Sequence, residues 1–171
     1  MVSLADTSVP AWAVGAATAA PPDDRGVTYL LVGVGAAGRA LAGSWASALP
    51  GRSTAIYGDD AHAVSAAVRA ALDNASVGLR LWLAGPPGDC LALRGLALTA
   101  AVEEDELHVS VAGTGPIEVL CVHCQTVTTA AAIGDIVLCV GCGRRVVVYY
   151  HVSRRSGRFL GYMHDAEEAG R

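Results

Sequence analysis

The hydrophobic pattern of the first two thirds of the chain alternates between two periods. Residues 27–34 are β-branched, aromatic and aliphatic, and after Gly35 the apolar positions of residues 36–49 return at helical spacing until Pro50-Gly51 stops them. The alternation then repeats. Residues 53–57 read as a short strand, and residues 61–74 as a helix with Val64, Val68, Ala71 and Leu72 on one face and Asp59 or Asp60 as its cap. Residues 79–84 form a third strand ending at Gly85-Pro86-Pro87-Gly88, Asp89 is the expected cap of a helix over 90–102, and residues 107–111 make a fourth strand. Strands separated by helices of about 12 residues predict βαβ units and a mostly parallel sheet covered on both faces. The expected fold class is therefore α/β, with a Rossmann-like three-layer domain over residues 27–113 preceded by a flexible leader at 1–26.

Gly113-Thr114-Gly115-Pro116 reads as a boundary. Beyond it the β-rich segments 117–122, 136–139 and 146–152 carry no helical period and too few large apolar residues to fold unaided. The sequence supplies a staple instead. Cys121-Val-His-Cys124 and Cys139-Val-Gly-Cys142-Gly143 are separated by fourteen residues, so each C-x-x-C knuckle can bring two thiolates to one ion, with Gly143 suited to the left-handed residue that closes a knuckle. Two such knuckles predict tetrahedral coordination by Cys121, Cys124, Cys139 and Cys142, the four-cysteine arrangement of a zinc ribbon over residues 117–162, followed by a flexible tail at 163–171. The site has no open position, so the ion is structural. Zn²⁺ is the expected metal; iron in the same sulfur geometry is the alternative, and disulfides are disfavoured in an intracellular context. His123 either replaces a cysteine or sits exposed on its knuckle. Cys90, at a predicted helix start with no base beside it, reads as a small buried residue and not as a nucleophile.

Composition narrows the chemistry. With 53% hydrophobic and 16% charged residues the chain is too apolar for disorder, and at 171 residues it is too short for a barrel enzyme. All 12 basic residues are Arg, which excludes a lysine Schiff base or a phosphate-loop lysine. The charge is uneven: residues 1–113 carry six Arg against eleven acids, and residues 114–171 six Arg against five. The basic stretch holding Arg144, Arg145, Arg154, Arg155 and Arg158 is either a solvated surface or a docking patch for an acidic partner or nucleic acid. Pro10, Pro21 and Pro22 break the first apolar stretch and no basic segment precedes it, so neither a signal peptide nor a membrane span is expected, and the protein reads as cytoplasmic.

Gly33-Val-Gly35-Ala-Ala-Gly38 is a literal G-x-G-x-x-G that follows a strand and opens a helix, where backbone N–H groups can cradle a pyrophosphate. Asp59, 21 residues after Gly38, stands where a ribose-binding carboxylate is placed in such sites. The alternative is that the small residues only let helix and sheet pack closely. The stretch Leu81-Trp82-Leu83-Ala84-Gly85-Pro86-Pro87-Gly88-Asp89, followed by Val102 and the acidic turn 103–106, resembles the last βαβ unit of the ferredoxin–NADP reductase nicotinamide module. That resemblance covers residues 27–112 and implies NADPH binding near Gly85 and Pro86. Ala84 replaces the family's cysteine, and Ala101 precedes Val102 where the family favours glycine. Hydride transfer needs a positioned flavin, so the module either works with a flavin-bearing partner subunit or is a retired scaffold.

The two knuckles, the β-rich run leading to His151-Val152-Ser153-Arg154-Arg155 and the terminal Phe159-Leu160-Gly161 resemble the small accessory subunit of bacterial dimethylamine monooxygenases, the DmmA-like proteins, over residues 117–162. The resemblance implies a subunit of a multicomponent NADPH- and O2-dependent enzyme that demethylates dimethylamine to methylamine and formaldehyde. Haem, FMN and an iron–sulfur cluster are then expected on partner subunits, a haem subunit and a flavin/ferredoxin reductase. This chain would dock them through its ribbon and arginine face, and no catalytic residue is assigned to it. His151 reads as a surface or capping residue, with a ligand or proton carrier as the alternative. A zinc-ribbon nucleic-acid-binding protein is the competing reading, with the basic face on phosphates.

Overall fold

A computed structural model describes residues 7–14 and 25–165. Its first sheet is built from β1 (Thr28–Val34), β2 (Ser53–Gly58), β3 (Leu79–Gly85) and β4 (Leu107–Val111), in the order β2-β1-β3-β4, with every pairing parallel. β1 is central and six of its seven residues are buried, the continuous apolar run that a strand covered on both faces needs. Its side chains alternate between two cores. Leu30, Val32 and Val34 face α2 (Ala61–Asp73) and α3 (Pro87–Thr99), whereas Tyr29 and Leu31 face α1 (Gly35–Ala48). On the α1 side Trp82 meets Tyr29 and Trp45 edge-on, with centroids 4.8 and 5.6 Å apart, and fills that core with rings.

Asp89 does not cap the third helix. Pro86 and Pro87 begin α3 three residues earlier than expected, because proline at the first helical position loses no hydrogen bond there. Freed from that task, the Asp89 carboxylate accepts from the Ala61 N–H of α2 at 2.7 Å, while Asp60 accepts from Ala63 N–H at 2.8 Å, so two acids cap one helix. Burial, outweighing the Ala61 hydrogen bond, raises the Asp89 carboxyl above its ordinary range. α3 ends at Thr99, and Ala101 then adopts φ 62°, the left-handed region where a Cβ is strained. Ala101→Gly is expected to raise stability by about 1 kcal/mol, a rise of about 2–4 °C in Tm by calorimetry.

The second sheet contains β5 (Ile117–Cys121), β6 (Val127–Ala130), β7 (Ile136–Leu138), β8 (Arg145–Val152) and β9 (Phe159–Met163), in the order β6-β5-β9-β8-β7. Its core of Ile117, Val119, Val148, Val152 and Phe159 closes against Leu91 of α3. α3 therefore serves both sheets. The approach is backbone on backbone: a Cβ on Gly95 would lie 2.7 Å from the Gly157 nitrogen, and one on Gly157, at φ 68°, would lie 2.0 Å from the Leu91 carbonyl oxygen.

Part of the stretch expected as a loose leader is docked into this core. Val9 is buried beside Leu91 and Phe159, Trp12 packs on the cores of both sheets, and Ser8 Oγ accepts from the Val152 N–H at 2.8 Å. Residues 1–6 and 15–24 of that leader, and 166–171 of the expected tail, lie outside the described residues. Residues 163–165 continue the fold, with His164 N–H donating to the Arg145 carbonyl at 2.9 Å. Among the described residues no helix is long and apolar enough to cross a membrane.

Candidate functional site

The two C-x-x-C segments form knuckles of matching backbone geometry. Gln125 N–H donates to the Cys121 carbonyl and Gly143 N–H to the Cys139 carbonyl, both at 2.9 Å. Both closing residues are left-handed, Gln125 at φ 62° and Gly143 at φ 68°. The Cys121 and Cys139 N–H groups donate in turn to the Thr126 and Arg144 carbonyls of the returning chain, at 3.0 and 2.8 Å. Only the second knuckle carries the glycine that advertises this turn.

This duplication brings four sulfurs together. The Cys121–Cys142 and Cys124–Cys139 sulfurs are 3.9 and 3.5 Å apart, and all four ligand atoms lie within 4.8 Å of one another. Tetrahedral thiolates at about 2.3 Å from an ion stand about 3.8 Å from each other, so the group has the size of a four-sulfur metal site. Cys121 and Cys139 are buried and none of the cysteines is disulfide-bonded. Hydrogen bonds from the Thr126 hydroxyl and N–H pull the Cys124 thiol down to about 6, and backbone N–H groups of Cys142 and Gly141 lower Cys139. Burial pushes Cys121 up to about 11. A bound cation supplies what that last thiol lacks, because metal binding and thiol deprotonation are linked. Thr126 also fits against Gly141, where a Cβ would lie 2.2 Å from its Oγ1.

His123 stands outside the sulfur cluster and contacts the Arg144 guanidinium at 2.7 Å across the two knuckles. Arg145 pairs with Asp165 at 3.6 Å. Two of the other expected docking arginines are spent inside the chain: Arg154 reaches Glu104 at 3.2 Å and Arg158 reaches Glu118 at 2.7 Å. His151 is exposed on β8.

The residues proposed for a dinucleotide converge at the carboxyl ends of the parallel strands. Gly33 of β1 lies opposite Ala84 of β3, so the Gly33–Gly38 turn and the Gly85–Pro86 turn are neighbours at the point where the strand order reverses, and Asp59 follows β2. Gly35 is left-handed at φ 67° with open space where its Cβ would be, and no side chain caps α1. Packing accounts for the other glycines. A Cβ on Gly33 would lie 2.7 Å from the Gly38 carbonyl oxygen, one on Gly38 2.3 Å from that of Ala84, and one on Gly85 2.8 Å from the Val34 Cβ. Asp59 is taken by Arg39 in an exposed ion pair. Residues 112–116 run alongside: Ala112 N–H donates to the Gly85 carbonyl at 2.8 Å, and a Cβ on Gly115 would lie 3.1 Å from Pro86.

Cys90 is fully buried, its thiol 3.5 Å from the Gly85 carbonyl, and burial, with Asp89 adding, pushes it up to about 12. It is expected to resist iodoacetamide in the folded, metal-loaded chain and to alkylate only after denaturation; peptide mass spectrometry reads this directly. Sequence reasoning missed Thr126, Gln125 and Glu104. Of these only Thr126 carried a signal, as a hydroxyl two residues past Cys124.

Comparison with known proteins meets this geometry in the second sheet. Residues 118–162 match the family described as dimethylamine monooxygenase subunit DmmA-like, C-terminal domain. Over 97 residues the chain is 38% identical to the heme-dependent oxidative N-demethylase delta subunit of Ectopseudomonas mendocina (strain ymp), an alignment covering 57% of this chain and 55% of that protein. The chain thus spans about half the length of the curated relative it matches. No solved structure matches it.

Proposed function

We propose that this chain, a DmmA-like accessory subunit, serves a multicomponent oxidative demethylase acting on dimethylamine or a similar secondary amine, as a structural and assembly component. The observation that carries this reading is the four-sulfur cluster within the segment that matches the DmmA-like domain. Zinc is the proposed occupant, held by Cys121, Cys124, Cys139 and Cys142. It would supply cross-linking of the second sheet and no redox chemistry. A colourless protein with one zinc per chain by elemental analysis supports this; a red protein containing iron overturns it.

The parallel domain, Rossmann-like in its strand order and covered faces, is proposed as a scaffold and not as an NADPH site. Gly33, Gly38 and Gly85 have packing reasons to be glycine, and Asp59 already has a cation. NADPH, haem, FMN and iron–sulfur chemistry are assigned to partner subunits. Isothermal titration of NADPH into the purified chain decides the point: no heat is expected, and saturable binding that Gly35→Val abolishes would reverse the assignment. Against nucleic-acid binding, Arg154 and Arg158 are paired with Glu104 and Glu118.

A further inference from the structure

We infer that a cavity on the inward face of the second sheet, beside the cysteine cluster, is the socket for a segment of another subunit of the same enzyme, one in which a large apolar side chain stands next to an Asp or Glu; this rests on the accessory-subunit reading above. Register fixes the face. Cys121 lies opposite Gly161, Gly161 opposite Val148, and Val146 opposite Met163, so these residues share the side of the sheet that α3 covers. That cover stops short of them. Leu91 of α3 shares a core with Ile117, Val119, Val148, Val152 and Phe159, whereas Cys121 and Val146 belong to a separate cluster to which no helix contributes. A cavity of about 350 Å³ opens there, with Val146 and Met163 from the strands, Val122 and His123 from the first knuckle and Arg144 from just past the second. Both knuckles supply walls, so closing the cysteine cluster also shapes the cavity.

Charge selects the occupant. Among the described residues Arg144 contacts only the His123 ring and has no carboxylate within ion-pair distance, unlike Arg145, Arg154 and Arg158. His123 and Arg144 are exposed, so the site is open to another molecule. Apolar walls beside a guanidinium that lacks an anion receive an apolar anchor flanked by a carboxylate, and the volume, at the low end of the about 300–1,000 Å³ of ligand pockets, suits one large side chain and its neighbours. This chain does not offer that segment itself. Residues 166–171, Ala-Glu-Glu-Ala-Gly-Arg, carry acids but no large apolar side chain. On a second copy, the exposed large apolar residues within two positions of an acid are, among the described residues, Tyr57 and Ile136; Asp59 is already paired with Arg39, and Asp135 already accepts from the Ala132 N–H. A two-fold contact at the cavity would set Arg144 against its own copy, and like charges across an interface oppose it.

The test co-expresses the N-terminally tagged chain with the haem and reductase subunits of its complex and measures how much of each is retained with it. Wild type is expected to retain a partner. Arg144→Glu, which reverses the charge, and Val122→Trp, which fills the cavity from its rim, are each expected to lower retention about tenfold or more with metal content and Tm unchanged. Leu138→Glu is expected to leave retention intact: Leu138 lies opposite Arg145 and is 64% exposed on the other face of the sheet, whereas its neighbour Val137 lies opposite Val146. Equal retention by wild type and both cavity variants overturns the socket while leaving the subunit reading standing, and so does loss with Leu138→Glu alone. Failure of wild type to retain either subunit overturns the subunit reading itself. A chain that is dimeric alone and made monomeric by Val122→Trp also overturns the inference, because the cavity would then hold a second copy.

Discussion

Cys139→Ser is expected to abolish metal binding and to unfold the second sheet. Cys139 is buried, its sulfur lies 3.5 Å from that of Cys124, and its backbone closes both ends of the second knuckle. A structural zinc contributes about 10–16 kcal/mol in small domains, as much as the about 5–15 kcal/mol that holds an ordinary domain folded. The core that would remain without it is small: eight buried residues, of which Val9 and Leu91 come from outside the sheet. Elemental analysis should fall from one metal per chain to none, and trypsin should then cut first at Arg144, Arg145, Arg154 and Arg155. Excess chelator should reproduce both results in wild type. A variant that keeps its metal and its protease resistance would refute the proposed ion as the staple of the sheet.

The contrast between the two sheets explains what could be read in advance. The parallel sheet was legible because its strands are uninterrupted apolar runs and its helices have a clean period, as in Leu30, Val32 and Val34 against Val64, Val68 and Leu72. β6 was missed because Val127–Ala130 is four residues with two threonines, and its strand identity comes from pairing with β5. The cluster of four cysteines was legible because C-x-x-C spacing is set by the knuckle itself. Gln125 was not: its left-handed φ is imposed by the knuckle hydrogen bonds, against the residue's own preference. Asp89 shows a third kind of failure. A helix-start acid is normally local, but its carboxylate caps a helix 28 residues away, a contact only the sheet topology creates. The glycine motif was legible as a pattern and ambiguous in purpose, since Gly33 and Gly38 are required by close packing whether or not a phosphate is ever bound.

Glu104→Ala is expected to loosen the join between the two sheets. Glu104 accepts from Arg94 of α3, with Nε at 3.1 Å and a second guanidinium nitrogen closer still, and from Arg154 of the loop between β8 and β9 at 3.2 Å. Arg94 is only 6% exposed, and its Nη1 has no hydrogen-bond partner among the described residues, so Glu104 is the compensation for a buried cation. Removing it leaves Arg94 unpaired and facing Arg154. Breaking a buried pair costs about 3–5 kcal/mol, and the low end applies because the Glu104 side chain is itself 43% exposed and water screens the loss. Glu104→Gln, which keeps a neutral acceptor, should cost less. The pH dependence separates charge from packing. Burial raises the Glu104 carboxyl, but the hydrogen bonds and charges of Arg94 and Arg154 outweigh it and hold it below its ordinary value of 4.5. A carboxyl depressed in the fold contributes stability above its unfolded value and loses it as pH falls through the folded one. The difference between wild type and Glu104→Ala in urea unfolding should therefore be full at pH 7 and shrink in acid. A difference independent of pH would mean that Glu104 acts by packing alone, and that α3 is held to the second sheet by Gly95 and Gly157 without help from the ion pairs.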